Sequence, residues 1–200
     1  FKDPELNVEE WLGRFEVESR EVYFARNRVL EACQIKPGES IADVGAGTGF
    51  YSRLFARQTG PNGWVYSVEI APRFLQHIAE QATSLDIPNL TPILATDRST
   101  RLPRESVDLA FICDTYHHFE HPADTMASLY AAIKPGGRLV VIDFERIPGE
   151  SSDWILGHVR AGKETFRQEI LAAGVQFDEE VPIKEFNENY LLQFHKPTSP

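Results

Sequence analysis

The sequence predicts a doubly wound α/β fold. Its expected form is a mostly parallel seven-stranded sheet with helices on both faces, N-terminal cover helices and an antiparallel C-terminal edge hairpin. Three observations predict it. Five short apolar runs alternate with helix-like stretches, the pattern of strand–helix–strand crossovers. The first run leads into a glycine-rich turn, Gly45-Ala46-Gly47-Thr48-Gly49. The last two extended runs have no helical stretch between them, so they pair antiparallel at the sheet edge.

Each element has a local reason. Asn7 precedes Trp11, Leu12 and Phe15, with Glu10 three residues after it, which marks a helix start. Ser19 is expected to cap a second helix that puts Val22, Ala25, Val29 and Ala32 on one face. Lys36-Pro37-Gly38 turns the chain into the first strand. Strands are expected over 40–44, 64–69, 90–95, 107–113 and 138–144, and helices over 51–58, 72–85, 122–133 and 162–173. Lys134-Pro135-Gly136-Gly137 stops the helix over 122–133 and turns into the fifth strand. Extended segments are expected over 175–181 and 189–195.

Composition bounds the reading. With 200 residues, 42% apolar and 25% charged, the chain suits one domain over 1–200 with an ordinary core. Within it, 1–34 would form cover helices, 35–145 a ligand-binding core, and 146–200 a cover loop, a helix and the final strands. A net charge of −10 opposes a nucleic-acid binder that tracks phosphates with Lys and Arg. No run approaches the roughly 20 apolar residues of a membrane span. Cys33 and Cys113 are too few for a disulfide framework and lack zinc spacing, so two buried free thiols are expected. A cytoplasmic location is the expectation, with a removed leader left open because the chain starts at Phe1.

The glycine turn narrows the ligand. A dinucleotide fingerprint needs glycine at its first, third and sixth positions, and with Gly45 as the first the sixth is Phe50. No Gly-Lys-Ser/Thr closes the turn, so it is not a P-loop. Asp43 beside the turn would repel a pyrophosphate and attract an ammonium group. Glu69, at the end of the second strand, can accept hydrogen bonds from ribose hydroxyls. A ribose, no phosphate and a cationic amino-acid tail describe S-adenosylmethionine. Phe50 and Asp43 both oppose a nicotinamide oxidoreductase.

At this point a resemblance enters. Ile41-Ala42-Asp43-Val44-Gly45-Ala46-Gly47-Thr48-Gly49 resembles the first motif of class I S-adenosylmethionine-dependent methyltransferases, which have a Rossmann-like fold. Glu69 resembles their ribose-binding acid, and Ala95-Thr96-Asp97 the segment whose aspartate meets the adenine amino group. The run from Asp108 to Asp114 resembles the fourth-strand motif, and Leu139 to Phe144 the strand after Lys134-Pro135-Gly136-Gly137. The subgroup it is most similar to methylates quinones and other small molecules. The resemblance implies S-adenosyl-L-methionine as cofactor and S-adenosyl-L-homocysteine as product. It implies cofactor contacts from Asp43, Gly45, Ala46, Gly47, Gly49, Glu69, Ile70, Asp97 and Asp114.

The acceptor would lie at the carboxyl ends of the strands, near the switch in strand order. Asp114-Thr115-Tyr116-His117-His118-Phe119-Glu120-His121 leaves the fourth strand there. His118 and Asp114 are the candidate catalytic residues, since histidine suits proton transfer near neutral pH. Tyr23, Tyr116, His117 and His158 are candidate substrate contacts. Glu18 and Arg20 on the first cover, and Arg160 and Lys163 on the second, could line the same pocket; Trp11 and Trp154 read as packing residues. His121, just before Pro122, reads as a helix-entry residue.

A metal reading of His117, His118, His121, Glu120 and Asp124 is weakened by Pro122 and the loop context. Metal-dependent O-methyltransferases carry an Asp-Asn pair after strand five, where this chain has Asp143-Phe144. No metal ligand is therefore assigned. The expected partner is a small-molecule acceptor, not nucleic acid, because the Asn-Pro-Pro-Tyr type signature is missing. The expected assembly is a monomer or homodimer. A non-catalytic cofactor-binding module is the competing reading.

Overall fold

The computed structural model describes residues 6–198; the two extremes of the expected domain, 1–5 and 199–200, lie outside them. The chain opens with α1 (Val8–Phe15), α2 (Glu21–Phe24) and α3 (Arg26–Cys33). The alternating core follows as β1 (Ser40–Val44), α4 (Phe50–Thr59), β2 (Trp64–Glu69), α5 (Pro72–Ser84), β3 (Leu90–Leu94) and β4 (Val107–Cys113). A single 3-10 turn, Tyr116–His118, leads to α6 (Pro122–Ala132) and β5 (Ile133–Phe144). The chain ends with α7 (Asp153–His158), α8 (Lys163–Ala172), β6 (Gln176–Glu180) and β7 (Asn189–His195).

The strands form one seven-stranded sheet in the order β3-β2-β1-β4-β5-β7-β6. The first five are parallel, and β7 runs antiparallel to both β5 and β6, as expected for the edge. Side chains alternate between two cores. On β4, Leu109 and Phe111 join Val29, Ile41 and Phe55 on one face. Ala110 and Ile112 join Leu129, Ile133 and Phe166 on the other. A strand buried on both faces reads as a continuous apolar run, which is why the central strands β1, β4 and β5 stood out in the sequence.

The pairing also places the site. Val44 pairs with Val68 on one side and Ile112 on the other. The residues after β1, β2 and β4 therefore emerge side by side at the switch in strand order, where doubly wound sheets bind ligands.

Several local expectations need correction. Ser19 does not cap the second helix: Arg20 is the cap residue, without a side-chain bond, and the helix breaks at Ala25 into α2 and α3. Lys134 to Gly137 form an irregularity inside β5, where the register steps from Val107↔Ile133 to Leu109↔Arg138. The helix α7 was not foreseen. It has six residues including Gly157, and it buries only Ile155, so it has too little apolar periodicity to show.

The N-terminal cover is fastened to the other end of the chain. The Glu21 carboxylate accepts backbone N–H bonds from Asn187, Glu188 and Asn189 at 2.8–3.2 Å. Arg53 on α4 donates to the Glu16 carboxylate at 2.8 and 2.9 Å and to the Thr48 carbonyl at 3.0 Å, tying the cover to the glycine turn. Among the described residues, no helix is long and apolar enough to cross a membrane.

Candidate active site

A cavity of about 820 Å³ opens at the carboxyl ends of β1, β2 and β4. That is within the usual size of a small-molecule or cofactor pocket. Asp43, Gly45, Ala46, Gly47, Glu69 and Ile70 line one end. Trp11, Phe15, Arg20 and Tyr23 come from the cover, and His117, His118, Phe144, Trp154 and His158 line the other end.

The glycine turn is built for close approach. The N–H groups of Gly45 and Ala46 both donate to the Val68 carbonyl, at 2.8 and 3.2 Å, which folds the turn against β2. Gly45 has φ +75°, and a Cβ there would stand 2.1 Å from Thr115 Cγ2. Gly47 has φ +52° and lies under the Phe15 ring, 3.3 Å from where its Cβ would be. Glycine is therefore favoured at Gly45 for conformation and for space, and at Gly47 for its positive φ beneath a closely packed ring.

Glu69 is buried beside this turn. Its Oε2 accepts from Gly47 N at 3.0 Å, and its Oε1 accepts from Ile70 N at 2.7 Å and Ala71 N at 3.0 Å. A carboxylate offers about four acceptor sites. Three are taken by backbone, which leaves one, on Oε2, for a ligand hydroxyl. Burial pushes the Glu69 carboxyl above its ordinary range, and the three N–H bonds oppose that shift.

Asp43 is buried one strand away and accepts from Ser52 Oγ at 2.6 Å. Burial pushes its carboxyl up to about 7; the Ser52 bonds and Arg53 oppose this, and neighbouring Glu69 adds to it. Asp97 lies on the cavity wall with His121 3.8 Å away. Arg98, its neighbour in sequence, pairs instead with Asp124 at 2.5 Å.

Asp114 has φ +47°, a left-handed conformation uncommon for a residue with a Cβ. Arg20 Nη2 donates to its Oδ2 at 2.8 Å, and Asn189 Nδ2 to its Oδ1 at 2.7 Å. Burial raises the Asp114 carboxyl and Arg20 pulls it down. Three distant parts of the chain thus meet on one side chain.

At the far end His117 Nδ1 lies 2.7 Å from Asp143 Oδ1, and both side chains are almost wholly buried. The His117 and His118 ring centroids are 4.0 Å apart, and His158 stands 5.0 and 4.9 Å from them. Burial, then His117 and His158, pushes the His118 imidazole down to about 4, so its ring is neutral across ordinary pH.

Residues 42–141 match the family model described as a methyltransferase domain. The chain belongs to that family. The methyltransferase domain is similar to the ubiquinone/menaquinone biosynthesis C-methyltransferase of Cupriavidus taiwanensis, 26% identical over 114 residues that cover 56% of this chain and 46% of that protein. The counterpart from Burkholderia vietnamiensis is 29% identical over 119 residues, covering 59% and 48%. The chain spans about half the length of the curated relatives it matches. Its fold matches a SAM-dependent methyltransferase from Aquifex aeolicus, with TM-score 0.80, 20% identity and coverage of 96% of this chain and 99% of that one. An S-adenosylmethionine-dependent methyltransferase from Mesorhizobium loti gives TM-score 0.70 at 16% identity, covering 90% and 99%.

As a class I member, the methyltransferase domain takes S-adenosylmethionine as cofactor. The residues present fit it: a cradle that a Cβ would fill, a buried carboxylate with an open acceptor site, and a second carboxylate beside the turn. Asp43, Gly45, Ala46, Gly47, Glu69, Ile70, Asp97 and Asp114 all line the cavity, as do Tyr23, His117, His118 and His158. Two expected contacts need correction. Gly49 sits behind the turn as the cap of α4, where a Cβ would meet Ile78 Cγ1 at 2.7 Å. Tyr116 is wholly buried in the core against Phe119 and Phe166, because the 3-10 turn points it away from the cavity.

Of the charged cover residues, Arg20 reaches the cavity of the methyltransferase domain. Glu18 pairs with Arg26, Arg160 with Glu169, and Lys163 with Glu145 and Glu180. Trp11 and Trp154, read as packing residues, line the cavity, and so do the unforeseen Phe15 and Asn189. The apolar face of α1 was the one signal for Phe15; nothing local marks Asn189.

Proposed function

We propose that this chain transfers the methyl group of S-adenosylmethionine to a small, planar, hydroxyl-bearing aromatic acceptor, leaving S-adenosylhomocysteine. The observation that carries this reading is one shared cavity, with Glu69 and the glycine turn at one end and three histidines at the other. Its aromatic lining, Phe15 and Tyr23 from the cover and Phe144 and Trp154 opposite, supports a flat apolar acceptor. So does the likeness to C-methyltransferases of quinone biosynthesis.

When bound, the cofactor supplies a methyl carbon made electrophilic by its positive sulfur. The chain's work is alignment and exclusion of water. Glu69 would accept a ribose hydroxyl at its open site, Asp97 would meet the adenine amino group, and Asp43 would meet the ammonium. His118 presents its ring to the acceptor. Asp114, engaged by Arg20 and Asn189, anchors the cover and is not the proton acceptor. Calorimetry is expected to show micromolar binding of S-adenosylmethionine and of its demethylated product, without phosphate or metal. A panel of hydroxylated aromatics should then release the demethylated product. A folded chain that binds neither nucleoside would overturn the proposal. Binding without turnover on any acceptor would leave a binding module in place of an enzyme.

The Asp43 carboxyl gives this reading a pH signature. Glu69, Arg53, Cys33 and Cys113 are the titratable groups around it. Below about 7 the free protein holds a proton on Asp43, and a cationic tail must displace it. Cofactor affinity should therefore rise by up to about tenfold per pH unit on approach to 7. Above roughly pH 8 it should fall again, as the ligand's own α-amino group loses its proton. A flat profile between pH 5.5 and 7.5 would separate Asp43 from the ammonium.

A further inference from the structure

We infer that His117, His118 and His158 form a binding site for a divalent transition-metal ion, with zinc the expected occupant, at the acceptor end of the cavity. Ligating nitrogens of the three lie within 4.8 Å of one another. The first independent observation is an orphaned atom. His117 is buried, and its Nε2 has no hydrogen-bond partner. A buried polar atom without a partner keeps its full desolvation cost, so its presence calls for a ligand.

The second observation is the support behind it. Asp143 Oδ1 lies 2.7 Å from His117 Nδ1, and Asp143 Oδ2 accepts the His117 backbone N–H at 3.1 Å. With Nδ1–H directed at this carboxylate, the lone pair of the ring is on Nε2. A carboxylate behind a histidine is the usual outer partner of a metal-bound imidazole, fixing its tautomer and raising its basicity. Asp143 is itself held, because Phe144 N donates to Oδ1 at 2.8 Å. On the third ligand, Trp154 stacks against His158 at 4.6 Å with planes 22° apart, which sets that ring's orientation.

The chemistry of the donor set selects the ion. Three imidazoles with no carboxylate suit zinc and its neighbours and exclude magnesium and calcium, which take oxygen ligands. Three protein ligands with a fourth position open is the arrangement of a catalytic site, not of a structural one. Tetrahedral zinc at about 2.0–2.1 Å would set the nitrogens roughly 3.4 Å apart. His118 and His158 both line the cavity, and their rings would have to bring the ligating nitrogens closer than the 4.8 Å spread seen here. The sequence concealed this cluster because its third ligand lies on α7, far along the chain from the histidine pair.

The role of the site, though not its existence, rests on the methyl-transfer reading. The open position would take the acceptor's hydroxyl oxygen, whose proton passes to solvent as its pKa falls. The phenolate electron pair then attacks the methyl carbon while the methyl–sulfonium bond breaks and its electrons stay on sulfur. A neutral thioether and a methylated acceptor result. His118 would meet the acceptor through the cation.

The test is a titration of zinc into the full chain after removal of metal with a chelator. One equivalent should bind with micromolar affinity or better, and cobalt in its place should give the visible absorption of a tetrahedral ion. His158→Ala and His118→Ala should each weaken binding at least tenfold, and Asp143→Asn by 10–100-fold as an outer partner. Binding of the demethylated cofactor, measured on the same preparations, reports folding and the methyltransferase reading separately. Absence of zinc binding in a chain that still binds that nucleoside would overturn the site. So would unchanged zinc affinity in both histidine variants, which would send the ion to the other cluster, Asp97, Glu120 and His121.

Discussion

Glu69→Gln is expected to cut affinity for S-adenosylmethionine by roughly 30-fold while leaving the chain folded. The charged carboxylate keeps one acceptor site open beside the glycine turn. A hydrogen bond to a charged group contributes about 2 kcal/mol, a factor of roughly 30 in a dissociation constant. Glutamine can keep its oxygen toward Ile70 and Ala71, but its NH₂ then meets the Gly47 N–H, donor against donor. Glu69→Ala goes further, because it orphans three N–H groups at once. It should lower the melting temperature as well as abolish binding. Calorimetry and thermal melts on the two variants separate the effects. A change of less than threefold in the glutamine variant would remove Glu69 from the cofactor site.

The second large effect is expected at Arg20. Its guanidinium is a quarter exposed, whereas the Asp114 carboxylate it bonds is 2% exposed. Removing one partner of a buried pair costs roughly 3–5 kcal/mol, because the other charge stays behind. The exposure of Arg20 reduces that to about 2–3 kcal/mol. Arg20 also stacks over the Phe15 ring at 4.8 Å, so the loss falls on the cover. Arg20→Ala should therefore speed hydrogen exchange in α1 and α2 more than in the central strands. Arg20→Ala combined with Asp114→Asn should regain most of the protection, since no buried charge is left. Cover amides that exchange as slowly in Arg20→Ala as in the parent chain would show that this pair does not hold the cover.

These two residues also mark how far the sequence could be read. Glu69 was legible because its place depends on local things: a strand of known length and a fixed offset from a glycine turn. The central strands were legible because both their faces are buried and apolar, and Gly, Pro or Asp punctuate their ends. The Arg20–Asp114 pair was not, because 94 positions separate its members and no spacing rule links them. Tyr116 was misplaced for a different reason. It adjoins His117 in sequence, but in a 3-10 turn successive side chains point in different directions. Its ring went to the core while His117 and His118 went to the cavity. Gly49 was assigned to the ligand by its rank in the motif, yet its conformation serves the helix that follows. His158 was picked out as a candidate substrate contact, but its approach to His117 depends on a six-residue helix with too little pattern to announce itself.

The clasp at Glu21 has a consequence for how the molecule is made. The N–H groups it gathers belong to residues 187–189, up to 168 positions away. Asn189, which closes on Asp114, is delivered by the same stretch. Contacts of such long separation form late, after the loop-closure entropy of everything between has been met. During vectorial synthesis, the strands β1 to β5 can pair and the glycine turn can form while the cover is held by the Arg53–Glu16 and Arg20–Asp114 pairs. Until residues 187–189 emerge, the cover over the glycine turn therefore lacks the Glu21 clasp and is held less firmly than in the complete fold.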